Sequence, residues 1–123
     1  MFHLVSRRLH AAMDYPLALG LIVMPFAFGI GMGDALPFAL SFGAGLLLLL
    51  VTSLTDHEAG VLPAISFRAH RIIDGIIGAV FVAAPLGFGF SSGDTLYYLT
   101  VGLTILAVVS AHRDPAPALA AAE

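Results

Sequence analysis

An all-α integral membrane protein of four transmembrane helices, built as two tandem helical hairpins with both termini cytoplasmic, is the fold class that this sequence predicts. Three observations lead there. The 123 residues are 59% apolar and only 11% charged, against about 25% charged in an ordinary soluble domain, with a mean hydropathy of +1.00. So few charges cannot cover a water-facing surface, and lipid must be the solvent for much of the chain. The apolar residues gather into four runs, each near the roughly 20 residues that a helix needs to cross ~30 Å of hydrocarbon. And the chain repeats itself at an offset of 60 residues without a gap: Ser6, Arg8, His10, Asp14, Pro25, Phe28, Gly29, Gly33, Asp34, Leu36 and Leu46 recur as Ser66, Arg68, His70, Asp74, Pro85, Phe88, Gly89, Gly93, Asp94, Leu96 and Leu106. The matched set includes charged and turn-forming residues, which chance in a Leu/Ala/Gly-rich chain does not readily supply. It reads as an internal duplication.

The first span is expected over Ala11–Ile30. It is not expected to be a cleavable signal, since the apolar stretch is longer than a signal core, carries Asp14, and runs directly into a turn and a second span. Gly31-Met32-Gly33-Asp34 forms that turn, and the second span follows over Leu36–Leu54. The third is expected over Ile72–Phe90 and the fourth, the shortest, over Thr95–Ala111, separated by Ser91-Ser92-Gly93-Asp94. Short turns of glycine and aspartate make each pair a tight antiparallel hairpin. Residues 1–60 then form the first two-span repeat, 61–114 the second, and 115–123 an Ala/Pro-rich tail expected to be disordered.

Orientation follows from the arginines. Arg7, Arg8, Arg68, Arg71 and Arg113 all fall on one side of this arrangement, whereas the turns hold Asp34 and Asp94 and no basic residue. The positive-inside rule puts the arginine side, with both termini and the Asp56–Arg71 connection, in the cytoplasm and the two turns outside. With two spans per repeat, both hairpins point the same way, related by a pseudo-two-fold axis along the membrane normal. Gly43, Gly45, Gly75, Gly78 and Gly102 punctuate the spans, and small residues permit the close backbone approach that holds helices together in lipid. Pro25 and Pro85 each remove a helical donor and are expected to kink their helices. Tyr15, Tyr97 and Tyr98 are the only candidates for an interfacial aromatic belt, since tryptophan is absent.

Composition also excludes chemistry. Cysteine is absent, which removes disulfides, thiolate metal sites and cysteine nucleophiles. The net charge of −3 offers nothing to nucleic acid. No serine nucleophile or phosphate loop stands out, so an enzyme is the least expected class. The polar residues cluster instead at the arginine-bearing face. His10 and Asp14 are spaced i, i+4, as are His70 and Asp74, which puts each pair on one helix face. The second span ends in Asp56-His57-Glu58 and the fourth in His112-Arg113-Asp114. His10, Asp14, His57, Glu58, His70, Asp74 and His112 therefore form one candidate cluster. Three readings of it are open. It is a network of His–Asp and Arg–carboxylate pairs tying helix ends together, a haem or divalent-metal site, or part of a proton path, since ionisable groups inside a span are costly and often functional.

These residues resemble the Ser-Pro-Trp repeat family of small bacterial membrane proteins. The signature late in the first helix of each pair corresponds to Met24-Pro25-Phe26-Ala27-Phe28-Gly29 and Ala84-Pro85-Leu86-Gly87-Phe88-Gly89. The resemblance extends to His10, Asp14-Tyr15, Thr55-Asp56-His57-Glu58-Ala59-Gly60, His70 and Asp74. Both triplets here keep the proline and have lost the serine and tryptophan, and His57 stands where the family pattern leads one to expect an aromatic. The resemblance implies a fold of paired two-span repeats and a membrane location, and no activity.

The Asp56–Arg71 connection mixes Val61, Leu62, Ile65 and Phe67 with Pro63 and charges, and is expected to lie along the membrane surface. The functional expectation is a structural or accessory module with no cofactor, embedded in lipid beside a membrane-protein partner or a second copy. The alternative is a metal-, haem- or proton-handling protein using the His/Asp cluster.

Overall fold

Backbone that crosses lipid must satisfy its own hydrogen bonds, and this chain does so with helices alone. The computed structural model describes residues 6–57 and 59–111. Four helices fill them: α1 (Arg7–Phe28), α2 (Ala35–Ser53), α3 (Phe67–Phe88) and α4 (Ser92–Ser110). All are long and apolar enough to cross a membrane. Glu58, His112, Arg113 and the tail 115–123 lie outside the described residues.

Caps set the boundaries. The Ser6 hydroxyl accepts the Leu9 N–H at 3.2 Å and the Ser66 hydroxyl accepts the Ala69 N–H at 3.1 Å, each satisfying one orphan donor of a first turn. At the other ends Gly29 (φ 66°) and Gly89 (φ 64°) adopt the left-handed conformation, and each donates its N–H to Pro25 or Pro85 respectively, the αL stop that glycine makes without strain. The expected starts at Ala11 and Ile72 are therefore late by about a turn. The apolar runs begin inside the helices, whereas the serines that cap each first turn lie on the polar side of those runs. Both prolines sit in the last turn and are buried, and α1 and α3 run through them unbroken. The fourth span is no shorter than the second, since α2 and α4 each have 19 residues. Ser91 caps α4 ahead of Thr95 and draws Asp94 into its first turn.

Within each hairpin the helices pack closely. A Cβ at Gly45 would stand 2.8 Å from the Ala18 carbonyl oxygen, and one at Gly102 would stand 3.0 Å from the Gly78 carbonyl oxygen. These glycines let α1 meet α2 and α3 meet α4 at backbone distance. Gly43 and Gly75 face open space and make no such seam. Between hairpins the backbones approach less closely, chiefly α2 against α3, and side chains of both fill one core. The core comprises Ala18, Leu21, Leu48, Ile77, Phe81, Ala84, Tyr98 and Ile105 with Ile30 and Phe90 at the turn end.

Polar links cross the gap between hairpins near the turns. Tyr98 donates to the Pro37 carbonyl at 2.5 Å. Ser41 donates to the Leu21 carbonyl at 2.8 Å and lies 2.6 Å from the Tyr97 hydroxyl, which is left as the donor of that pair. Tyr97 and Tyr98 thus join helices, and Tyr98 is fully buried, so neither forms the interfacial belt that the sequence suggests. Asp34 and Asp94 also part company. Asp34 caps α2 through the Leu36 N–H at 3.0 Å, and Asp94 reaches across to the Gly31 N–H at 3.2 Å.

Gly45→Ala is expected to destabilise the protein by about 1–3 kcal/mol through overpacking, because its Cβ meets backbone. Gly43→Ala is expected to be neutral or to stabilise by up to about 1 kcal/mol through helix propensity. Thermal unfolding of both variants in detergent separates the two, and equal effects would contradict the seam described.

Candidate functional site at the hairpin junction

An aspartate one or two turns into an apolar helix has to find a partner, because an unpaired buried carboxylate is several kcal/mol unfavourable. The i, i+4 spacing turns Asp14 towards His10, and Asp74 towards His70. All four residues are buried, and the junction of the hairpins brings them together. His10 Nε2 lies 2.9 Å from Asp74 Oδ2 and 3.4 Å from Asp14 Oδ1. His70 Nε2 lies 3.3 Å from Asp74 Oδ1 and 3.3 Å from Asp14 Oδ2. Each imidazole thus faces both carboxylates and each carboxylate faces both imidazoles, in an alternating ring. The shortest contact, His10 to Asp74, crosses from α1 to α3.

The shell around the ring is not symmetric. The Thr55 hydroxyl spends its only proton on the Val51 carbonyl at 2.5 Å. It can therefore only accept at its 2.8 Å contact with His70 Nδ1, and this assigns the His70 proton to Nδ1. Neutral His70 then presents a lone pair on Nε2 to the ring. His57 shows the opposite tautomer. Its Nδ1 accepts the Ala59 N–H at 3.2 Å, so its proton sits on Nε2, the atom facing Asp14 Oδ2 at 3.9 Å. Phe67 covers the ring from the arginine-bearing side. Its edge meets His10 at 5.4 Å and His57 at 6.0 Å between centroids, and the Arg7 guanidinium stacks over it at 5.1 Å. On the α4 side a cavity of about 70 Å³ touches His10, Asp14 and Asp74 and is walled by Leu17, Ile105, Val108 and Val109.

The connection holds these shell residues in place. It folds back over the end of α2, where the Ser53 carbonyl accepts the N–H groups of Val61 and Leu62, and the Leu54 carbonyl those of Ala64 and Ile65. Thr55 and Ile65 form an isolated β-bridge. Tyr15 donates to the Ala59 carbonyl at 2.7 Å, and Arg7 donates to the Asp56 carbonyl. Val61 and Leu62 remain exposed, as suits a segment with its apolar side towards lipid.

Of the candidate cluster, then, His10, Asp14, His70 and Asp74 meet directly and His57 stands beside them. Glu58 and His112 lie outside the described residues. Arg7 belongs to the cover. Arg68 and Arg71 line a separate surface groove with Phe67 and Ile72. Sequence reasoning missed Thr55, which orients His70. The signal was available in part, since threonine at the end of an apolar helix invites a back-bond to the carbonyl four residues earlier. Comparisons with protein-family models, curated proteins and solved structures return no match to this chain.

Thr55→Val leaves the His70 Nδ1–H buried without an acceptor and is expected to destabilise by about 1–3 kcal/mol. Thr104→Val removes only an exposed bond to its own helix and is expected to change stability by less than about 0.5 kcal/mol. Denaturant unfolding in detergent distinguishes them, and a silent Thr55→Val would contradict the tautomer assignment.

Proposed function

We propose that this protein is a small structural or accessory module of the bacterial inner membrane, working beside a larger membrane partner. Both hairpins are copies of one unit that enter the bilayer the same way, with both termini cytoplasmic, as the distribution of arginines indicates. The observation that carries the reading is reciprocal pairing across the junction: each hairpin's histidine faces the other hairpin's aspartate. Such a ring fastens the two halves at one end of the apolar core that they share. The interior holds a packed core and a cavity of about 70 Å³ at the ring, too small for an ordinary metabolite.

An outward face supports the accessory role. Ala39, Gly43, Ala44 and Leu47 of α2 and Ile76 and Val80 of α3 line an apolar groove at the seam between hairpins. Gly43 gives it a shallow floor, the kind of surface on which a partner helix packs in lipid. The resemblance to the Ser-Pro-Trp repeat family agrees with a membrane module and adds no activity.

A photo-crosslinking amino acid at Leu47, within the groove, is expected to give a discrete protein adduct in native membranes, whereas one at Leu103, exposed on α4, is expected to give none. Lipid adducts alone at both positions would overturn the accessory reading. A reporter fused after Glu123 is expected to read as cytoplasmic, and an external signal would reverse the orientation.

A further inference from the structure

The His70 lone pair raises a question that the fastening role leaves open. His70 is fully buried, its Nδ1 proton is committed to Thr55, and its Nε2 has no hydrogen-bond partner. That nitrogen stands 3.3 Å from one oxygen of each aspartate. Asp14 Oδ2 and Asp74 Oδ1, the oxygens that face it, are also buried without a hydrogen bond. Three lone-pair-bearing atoms therefore converge on one point with nothing positive between them. In a low-dielectric setting such an arrangement repels itself unless a cation occupies it.

We propose that the ring formed by His10, Asp14, His70 and Asp74 is a binding site for one divalent first-row transition-metal ion, held between the hairpins.

The donor set fits. Two imidazole nitrogens and two carboxylates suit ions of this class, and two carboxylate charges balance a dication, so the loaded site is neutral inside the membrane. The spacing fits as well. Ligands at ~2.0–2.1 Å from a tetrahedral ion are about 3.3–3.4 Å from one another. The four histidine–carboxylate separations are 2.9, 3.3, 3.3 and 3.4 Å. With one oxygen taken from each aspartate, all four ligand atoms lie within 4.8 Å of one another, a spread that small side-chain rotations close. The surroundings act as the supporting shell of a metal site. Thr55 holds His70 in the tautomer that offers Nε2, as hydrogen-bonded partners of ligating histidines do, and His57 points an N–H towards Asp14. With four protein ligands the site is closed, which is the structural rather than the catalytic pattern. Two ligands come from α1 and two from α3, so the ion would bind one hairpin to the other.

The site does not rest on the accessory reading, since a groove without a partner leaves the ring unchanged. The test uses the full-length protein in mild detergent, stripped with a chelator and titrated with zinc. The expected result is uptake of one ion per chain and a rise in unfolding temperature. Cobalt in place of zinc is expected to give the intense visible absorption of a tetrahedral site. Asp14→Asn with Asp74→Asn is expected to weaken zinc binding at least about 100-fold, and Thr55→Val alone by about 10–100-fold. Absence of stoichiometric zinc and of cobalt bands in the unaltered protein overturns the proposal and leaves protons as the cations of the ring. Full uptake by the double variant overturns it equally, since the ion would then sit elsewhere. Should the double variant not fold, the cobalt spectrum of the unaltered protein decides alone.

Discussion

The junction between the two hairpins is arranged around two carboxylates that the membrane will not accept alone. Asp14 and Asp74 sit within helices whose other residues are mostly apolar, and moving an ionised carboxylate from water into such a place is several kcal/mol unfavourable. Local sequence provides each with a histidine four residues earlier, but one imidazole cannot satisfy both oxygens of a carboxylate. The other hairpin brings the second imidazole, in a ring of contacts between 2.9 and 3.4 Å where the His10–Asp74 hydrogen bond is the direct tie and His70 Nε2 faces the aspartates with a lone pair. The demand for a partner thus becomes a demand that the hairpins meet, at one end and in one register. The tyrosine and serine links near the turns hold the other end.

Apolar packing alone does not specify that meeting. Lipid tails are as apolar as leucine, so the outer surfaces of the hairpins gain little by leaving the bilayer for each other. Inside a hairpin the problem is solved by Gly45 and by the Gly78–Gly102 approach, where backbone meets backbone. No glycine contact of this kind joins α2 to α3, since Gly43 and Gly75 face open space. Each hairpin therefore coheres by close backbone approach, and the junction adds polar pairing to a shared apolar core, two mechanisms that respond differently to substitution. A cavity in a hairpin weakens one half, whereas an unpaired aspartate drives the halves apart.

The fold was largely legible because its signals are periodic or repeated. Four apolar runs and two glycine-aspartate turns need no tertiary information. The ring was legible in part. The i, i+4 spacing announced two His–Asp pairs, but that they face each other depends on how two helices distant in sequence cross. What escaped was asymmetric. Ser91 capping α4 a few residues early, Asp94 leaving its matched role to reach Gly31, and Tyr97 and Tyr98 turning inward all break the pattern on which the reading relied. Thr55 escaped because its significance lies in where its proton goes, and only the Val51 carbonyl at 2.5 Å reveals that.

That asymmetry makes the two histidines unequal. The residues 60 positions after Thr55 and His57 are Pro115 and Pro117, which have neither a side-chain hydroxyl nor an imidazole to offer. Among the described residues, the first repeat supplies a shell of that kind, and it supplies it to His70 across the connection. His70 is held by Thr55 in a single tautomer, and His10, pressed edge-on against Phe67, makes the ring's one short bond to the opposite helix. A purely symmetric ring could exchange its protons between equivalent histidines. This one has a fixed acceptor on one side, so positive charge is drawn to a defined place between His70 and the two aspartates. With one His–Asp pair on each hairpin and, among the described residues, a threonine behind only one of the two histidines, the ring has the means to be a site as well as a fastening.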